Sequence, residues 1–228
     1  MSSLSRVLET EVMDSHEEAV DYDAMDHSSV NRLFAEDLQF WLGEAPRSSD
    51  FTIRILDVGT GTAQIPIEIC RRLPAVRCTG VDLSAEMLRI GERNVRAAGL
   101  DASIRLQTAD AKSLPFKDGS FSVVVSNSVL HHLAEPIVAF REMLRVVRRG
   151  GVLFVRDLIR PADEATRQRL VETYAANANP HQRALFAASL HAALTLDEVR
   201  SMVSQLGMPD WWTVETSDRH WTVAGRPM

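Results

Sequence analysis

The run Ile53-Arg54-Ile55-Leu56-Asp57-Val58-Gly59-Thr60-Gly61-Thr62-Ala63 carries the chain's most legible chemistry. An apolar strand ends beside a carboxylate and turns through two glycines into a helix. Such a turn brings a ligand against backbone N–H groups at a helix N-terminus, which suits a pyrophosphate when no acid stands nearby. Asp57 would repel a pyrophosphate, and Gln64 stands where a dinucleotide loop requires its third glycine. A carboxylate is welcome if the ligand is cationic. S-adenosylmethionine (SAM), with an ammonium, a sulfonium and no phosphate, meets that condition.

The elements around this loop alternate. Residues 15–42 read as helical, with Val30, Leu33, Phe34, Leu38 and Trp41 at helical spacing, and residues 44–50 form a turn-rich break. Strands are expected at Ile53–Val58, 76–81, 103–107, 121–126 and 152–155. Between them come helices at 63–72, at 84–98 behind an Ser84 N-cap and closed by Gly99, and at 135–147, stopped by Gly150-Gly151. Pro115 to Gly119 reads as a turn. Continuous apolar strands alternating with helices imply an α/β fold, a Rossmann-like, mostly parallel sheet with helices on both faces. Ligands of such sheets sit beyond the carboxyl ends of the strands, which places Asp57, Asp82, Asp110 and Asn127 along one rim. Residues 161–194 lack a strand signal and read as a helical insertion covering that rim. Thr195-Leu196-Asp197-Glu198 is a capping box opening a last helix, and 211–216 with 220–224 form a hairpin.

Composition narrows the class. The chain has 228 residues, 45% of them apolar, and 25 Lys+Arg against 31 Asp+Glu give a net charge of -6. One domain is expected, divided into a lid (1–50), a cofactor core (51–160), a cap (161–194) and a C-terminal helix and hairpin (195–228). The acidic balance argues against nucleic acid as a partner. Apolar runs fall short of the ~18 residues of a membrane span, and no secretion signal opens the chain, so a cytoplasmic protein, monomer or homodimer, is expected. Cys70 and Cys78 lack metal or redox spacing and read as buried small hydrophobes.

Five segments, in order, resemble the class I SAM-dependent methyltransferases: Asp57-Val58-Gly59-Thr60-Gly61, Val81-Asp82, Ala109-Asp110-Ala111, Ser126 to Leu133 (Ser-Asn-Ser-Val-Leu-His-His-Leu), and Arg145 to Gly151. The likeness is nearest to the group of ubiquinone/menaquinone-type and other small-molecule methyltransferases. It implies a seven-stranded sheet with an antiparallel last strand, SAM as cofactor and a small-molecule acceptor with an oxygen, sulfur, nitrogen or carbon nucleophile. It also implies roles. Gly59, Thr60 and Gly61 approach the methionine part, and Asp57 lies near its ammonium. Asp82 accepts from the ribose hydroxyls. Leu83 and Met87 pack on adenine, while Asp110 and the Ala111 N–H meet its edge. Asn127 lies beside the methyl group, and Tyr22 or Met25 of an N-terminal lid seals it from water.

Methyl transfer consists largely of aligning the nucleophile and excluding water, and a base matters when the acceptor is a hydroxyl, a thiol or an acidic carbon. His131 and His132 follow the fourth strand and are the catalytic candidates, with His132 the more structural of the two. His27, His181, His191 and His220 read singly as packing or surface residues. No metal is expected, because the histidines lack H-x-x-x-H or H-E-x-x-H spacing. No Asn-Pro-Pro-Tyr-like run, catalytic cysteine pair or cysteine cluster is present, which argues against base, RNA-cytosine and arsenic methylation. The rivals are an NAD(P)-dependent oxidoreductase on a similar sheet and a non-catalytic SAM- or SAH-binding module (SAH, S-adenosylhomocysteine).

Overall fold

The computed structural model describes residues 4–9, 14–43, 53–73 and 75–228. The break expected at 44–50 lies outside them.

Seven strands form one sheet: β1 (Ile53–Val58), β2 (Val76–Asp82), β3 (Ile104–Thr108), β4 (Phe121–Asn127), β5 (Val147–Leu158), β6 (Thr213–Ser217) and β7 (His220–Gly225), in the order β3-β2-β1-β4-β5-β7-β6. The first five strands run parallel, and β7 is antiparallel to both β5 and β6. Alternation along each strand sends its side chains to two separate cores. On one face Leu56, Val58, Val124, Leu153 and Val155 pack with Phe140 and Met143 of α5 (Pro136–Val146) and Val199 and Val203 of α8 (Leu196–Gln205). On the other, Ile55, Cys78, Val123, Val125 and Phe154 pack with α2 (Ser28–Leu42) and α3 (Gln64–Arg72), with Val95 of α4 (Ala85–Ala97) at the edge. Strands covered on both sides must be apolar throughout, which is why their sequences read as runs.

The order of the sheet reverses direction between β1 and β4, and this junction is the crevice where a ligand of such a sheet binds. The loop after β1 enters it through left-handed backbone at Gly59 (φ 73°), Gly61 (φ 53°) and Ala63 (φ 64°). At Gly59 a Cβ would overlap the side chain of Val129, so that glycine is required twice over.

The expected helix at 15–42 is two helices, α1 (His16–Asp23) and α2, because the chain turns at 24–27, where Asp26 Oδ1 accepts from the Ser28 N–H at 3.0 Å. α5 ends at Val146, before Gly150-Gly151, and those glycines lie inside β5 at a shift in its register with β4. The hairpin begins later than expected, at Thr213, since Asp210 to Trp212 form a 3-10 turn after Pro209. Helices α6 (Glu164–Tyr174) and α7 (Pro180–Ala192) make up the segment after β5 and share a small core of Leu158, Leu170, Leu190 and Ala193. Among the described residues no helix is long and apolar enough to cross a membrane.

The indole of Trp212 occupies the space where a side chain at Gly225 would go. Gly225→Ala should therefore lower the unfolding free energy by roughly 1–3 kcal/mol through overpacking. Urea denaturation checks this, and an unchanged midpoint would show that Trp212 yields freely.

Candidate active site

At the carboxyl ends of β1, β2, β3 and β4 lies an open cleft of about 760 Å³. Gly59 and Gly61 form one side. Asp82, Leu83 and Met87 come from the end of β2 and the start of α4. Asp110 and Ala111 follow β3. Asn127, Ser128, Val129, His132 and Leu133 close the cleft from the β4 side, and Tyr22 of α1 covers it. A second cavity of about 320 Å³ shares Tyr22, Gly59 and Asn127 with the first and adds Asp57, Thr60, Asn31 and Gln64.

Carboxylates set the electrostatics. Asp57 is 1% exposed, and burial pushes its pKa up to about 7 against a smaller opposing pull from the Thr60 hydroxyl. Its Oδ2 and the Oδ1 of Asn127 are both buried acceptors with no donor. Asp82 accepts from the Gly61 N–H at 2.8 Å and from the Ser84 N–H at 2.9 Å, fastening the β1 loop to the next helix. Burial still raises its pKa, although these amides oppose the shift. Burial, with the nearby Asp82 and Asp57 charges adding to it, also raises Tyr22, to about 12.

Helix α1 is latched by polar bonds to α3 and α4. Gln64 Nε2 donates to Asp23 Oδ1 at 3.3 Å, and Asn94 Nδ2 donates to the same oxygen at 2.8 Å. Asn31 Nδ2 donates to Gln64 Oε1 at 3.1 Å. The residue that breaks the dinucleotide pattern thus holds α1 over the cleft.

Behind the cleft, the 3-10 turn Leu130–His132 is organised by Asp157, which is 1% exposed on β5. One oxygen, Oδ2, accepts from the N–H groups of Leu130 (2.7 Å) and His131 (3.2 Å), and Oδ1 pairs with His131 Nδ1 at 2.5 Å. From the other side, Arg6 donates to the carbonyls of His131 (3.0 Å), Leu133 (2.9 Å) and Ala192 (2.6 Å). Burial works against the His131 cation, but the Asp157 charge and hydrogen bond outweigh it and raise the pKa. Asp157 is likewise penalised by burial, yet His131 holds its pKa below the usual range.

A cleft rimmed by carboxylates, with two orphan acceptors and no cation among its lining residues, fits a ligand that brings positive charge. Residues 56–155 match a methyltransferase domain family. The core of this chain, residues 56–155, is similar to a methyltransferase domain and lies on the sheet of that fold. A demethylmenaquinone methyltransferase from Porphyromonas gingivalis is 44% identical over 108 residues, covering 47% of this chain and 44% of the relative. The chain thus spans less than half the length of the first curated relatives it matches. A structure described as a SAM-dependent methyltransferase from Methanococcus maripaludis superposes with a TM-score of 0.69 at 14% identity, covering 97% of this chain and 98% of that one. The plantazolicin methyltransferase in complex with a substrate analogue and SAH gives a TM-score of 0.64 at 18% identity, over 83% and 69% of the two chains. SAM is the cofactor of this family, and the orphan acceptors of Asp57 and Asn127 suit its ammonium.

The cleft gathers Tyr22, Gly59, Gly61, Asp82, Leu83, Met87, Asp110, Ala111, Asn127 and His132, while Asp57 and Thr60 line the smaller cavity. Met25 lines neither. The histidines stand in the reverse of the expected order: His131 is 3% exposed and bonded to Asp157, whereas His132 lines the cleft. The turn starting at Leu130 tucks the first ring inward and leaves the second at the surface of the cleft. Sequence reasoning missed Arg6, Glu9 and Asp157. Only Asp157 left a trace, as an acid just past the apolar run 152–155.

The pH dependence of this pair can be worked out. A raised His131 contributes stability that is full below its unfolded pKa and is lost as pH rises through the folded value. A lowered Asp157 contributes above its unfolded pKa and loses its contribution as pH falls through the folded value. Both contributions are present between about pH 4 and 6.5. Asp157→Asn should cost on the order of 3 kcal/mol in that window, and less on either side. A stability difference that stays flat from about pH 4 to 9 would mean the pair is not an ion pair.

Proposed function

We propose that this protein transfers a methyl group from SAM to a small-molecule acceptor whose nucleophile must first lose a proton, such as an enolic or phenolic oxygen or the acidic carbon beside it. The observation that carries the reading is the pair of orphan acceptors in a carboxylate-rimmed crevice, which favours a cationic cofactor and would repel a pyrophosphate. A nicotinamide-dependent reading has no support. The names of the relatives, a demethylmenaquinone methyltransferase and quinone C-methyltransferases, favour a carbon nucleophile on a ring. The cap of α6 and α7 lies outside the matched residues 56–155, so the acceptor is this chain's own matter. Two free, buried cysteines suit a cytoplasmic setting.

SAM, when bound, supplies a methyl already activated by its sulfonium. The chain's own residues do the rest. Asp57 and Asn127 receive the ammonium, Gly59 and Gly61 admit the methionine part, and Asp82 adds ribose contacts to the two amides it already holds. Leu83 and Met87 pack on the adenine, whose edge meets Asp110 and the Ala111 N–H. Tyr22 and the lid keep water from the methyl. His132 takes the acceptor's proton, and His131, stacked against it with ring centroids 4.2 Å apart, is a positioning residue fixed by Asp157.

Calorimetric titration should show that SAH binds and that NADH and NADPH do not. Asp82→Ala should weaken SAH by about 1.5–3 kcal/mol, the scale of charge-assisted hydrogen bonds. Binding of NADH in place of SAH would overturn the cofactor assignment.

His132→Ala should retain SAH affinity while losing roughly 10²–10⁴ in turnover. Equal loss of SAH binding and turnover would make His132 structural.

A further inference from the structure

The turn at His131-His132 holds a second grouping of donor atoms, completed by the N-terminal segment. Glu9 Oε1 lies 3.5 Å from His131 Nε2 and 3.4 Å from His132 Nδ1, and the three ligand atoms fall within 4.8 Å of one another. Glu9 Oε1 is buried and accepts no hydrogen bond. An ion held by four bonds of about 2.0–2.1 Å has ligand-to-ligand edges of about 3.3–3.4 Å. Two of the three edges here are within a few tenths of an ångström of that value, too long for strong hydrogen bonds and right for a shared metal.

The surroundings agree. His131 gives its Nδ1 to Asp157 at 2.5 Å, so its Nε2 is the nitrogen turned toward Glu9. A carboxylate behind an imidazole is the usual support of a metal-bound histidine, fixing the ring and raising its basicity. Arg6 adds one positive charge to this turn, and Glu9 and Asp157 outweigh it with two carboxylates. Among the described residues this is the one group of three such side chains with converging ligand atoms.

We propose that Glu9, His131 and His132 form a binding site for a divalent first-row transition metal of the zinc class, with Asp157 as its supporting carboxylate. Two imidazoles and one carboxylate suit zinc and exclude magnesium, which prefers oxygen ligands. A consequence rests on the reading of His132 as the base. A ring whose Nδ1 holds a metal keeps its proton on Nε2 and has no lone pair left to take another, so metal and acceptor proton compete for His132. The metal then restrains methyl transfer without engaging any of the residues assigned to hold the cofactor.

The test is calorimetric titration of the full chain with Zn²⁺ and, separately, Mg²⁺. Cobalt binding read by its visible absorption serves as an independent signal. One Zn²⁺ per chain and no Mg²⁺ binding are expected. Glu9→Gln, on a segment outside the sheet, should weaken Zn²⁺ at least tenfold while circular dichroism and SAH affinity stay unchanged. Asp157→Asn should weaken it roughly 10–100-fold. No stoichiometric Zn²⁺ binding, or a Glu9→Gln protein that titrates like the wild type, would overturn the site. Loss of turnover in the zinc-loaded protein at constant SAH affinity is also expected. Undiminished turnover with the site filled would overturn the base role of His132 and leave the site standing on the titration.

Discussion

Four parallel strands end at one edge of this molecule, and the chain places carboxylates there in a setting that does not solvate them. Asp57 is the extreme case, fully enclosed, with one oxygen facing no donor. Burying a charge without a partner is costly, and a protein retains such a group when something outside the chain completes it. The glycines that give access, the helix latched over the top and the amide-bound Asp82 all make sense as the frame of that incomplete site. Asp157, near the end of the fifth strand, meets the same problem in the opposite way, by surrounding itself with three amides and an imidazole from its own chain.

The two acids therefore divide the rim into a part left open for a ligand and a part closed on itself. The closed part is built from distant pieces. Arg6 and Asp157 both hold this turn, so His131 is positioned by the N-terminal segment and the last parallel strand at once.

Much of this was legible beforehand, for identifiable reasons. Strands buried on both faces must be apolar runs, and a loop that admits a ligand against its backbone must use glycine, so Ile53–Val58 and Gly59 to Gly61 announced themselves. Asp82, Asp110 and Asn127 were found because each marks a strand end. The order of the two histidines was not legible, since adjacent residues in a 3-10 turn point apart and only the turn's start decides which goes inward. Glu9 and Arg6 were invisible because their partners are more than a hundred residues away and no local pattern ties them. Helices α1 and α2 were read as one because the apolar spacing of α2 extended the helical impression across 24–27, where Asp26 Oδ1 accepts from the Ser28 N–H.

Helix α1 has a second attachment, to α7. Asp21 on α1 pairs with His181 Nδ1 at 2.7 Å, and its carbonyl accepts from Gln182 Nε2 at 3.1 Å, both residues at the start of α7. The next residue along, Tyr22, is the one over the cofactor cleft. A single helical turn thus touches both compartments. Moving α1 away from the cleft strains two bonds to α7, and shifting α7 pulls on the residue next to Tyr22. By linkage, whatever shifts one of these helices biases the other by the same free energy.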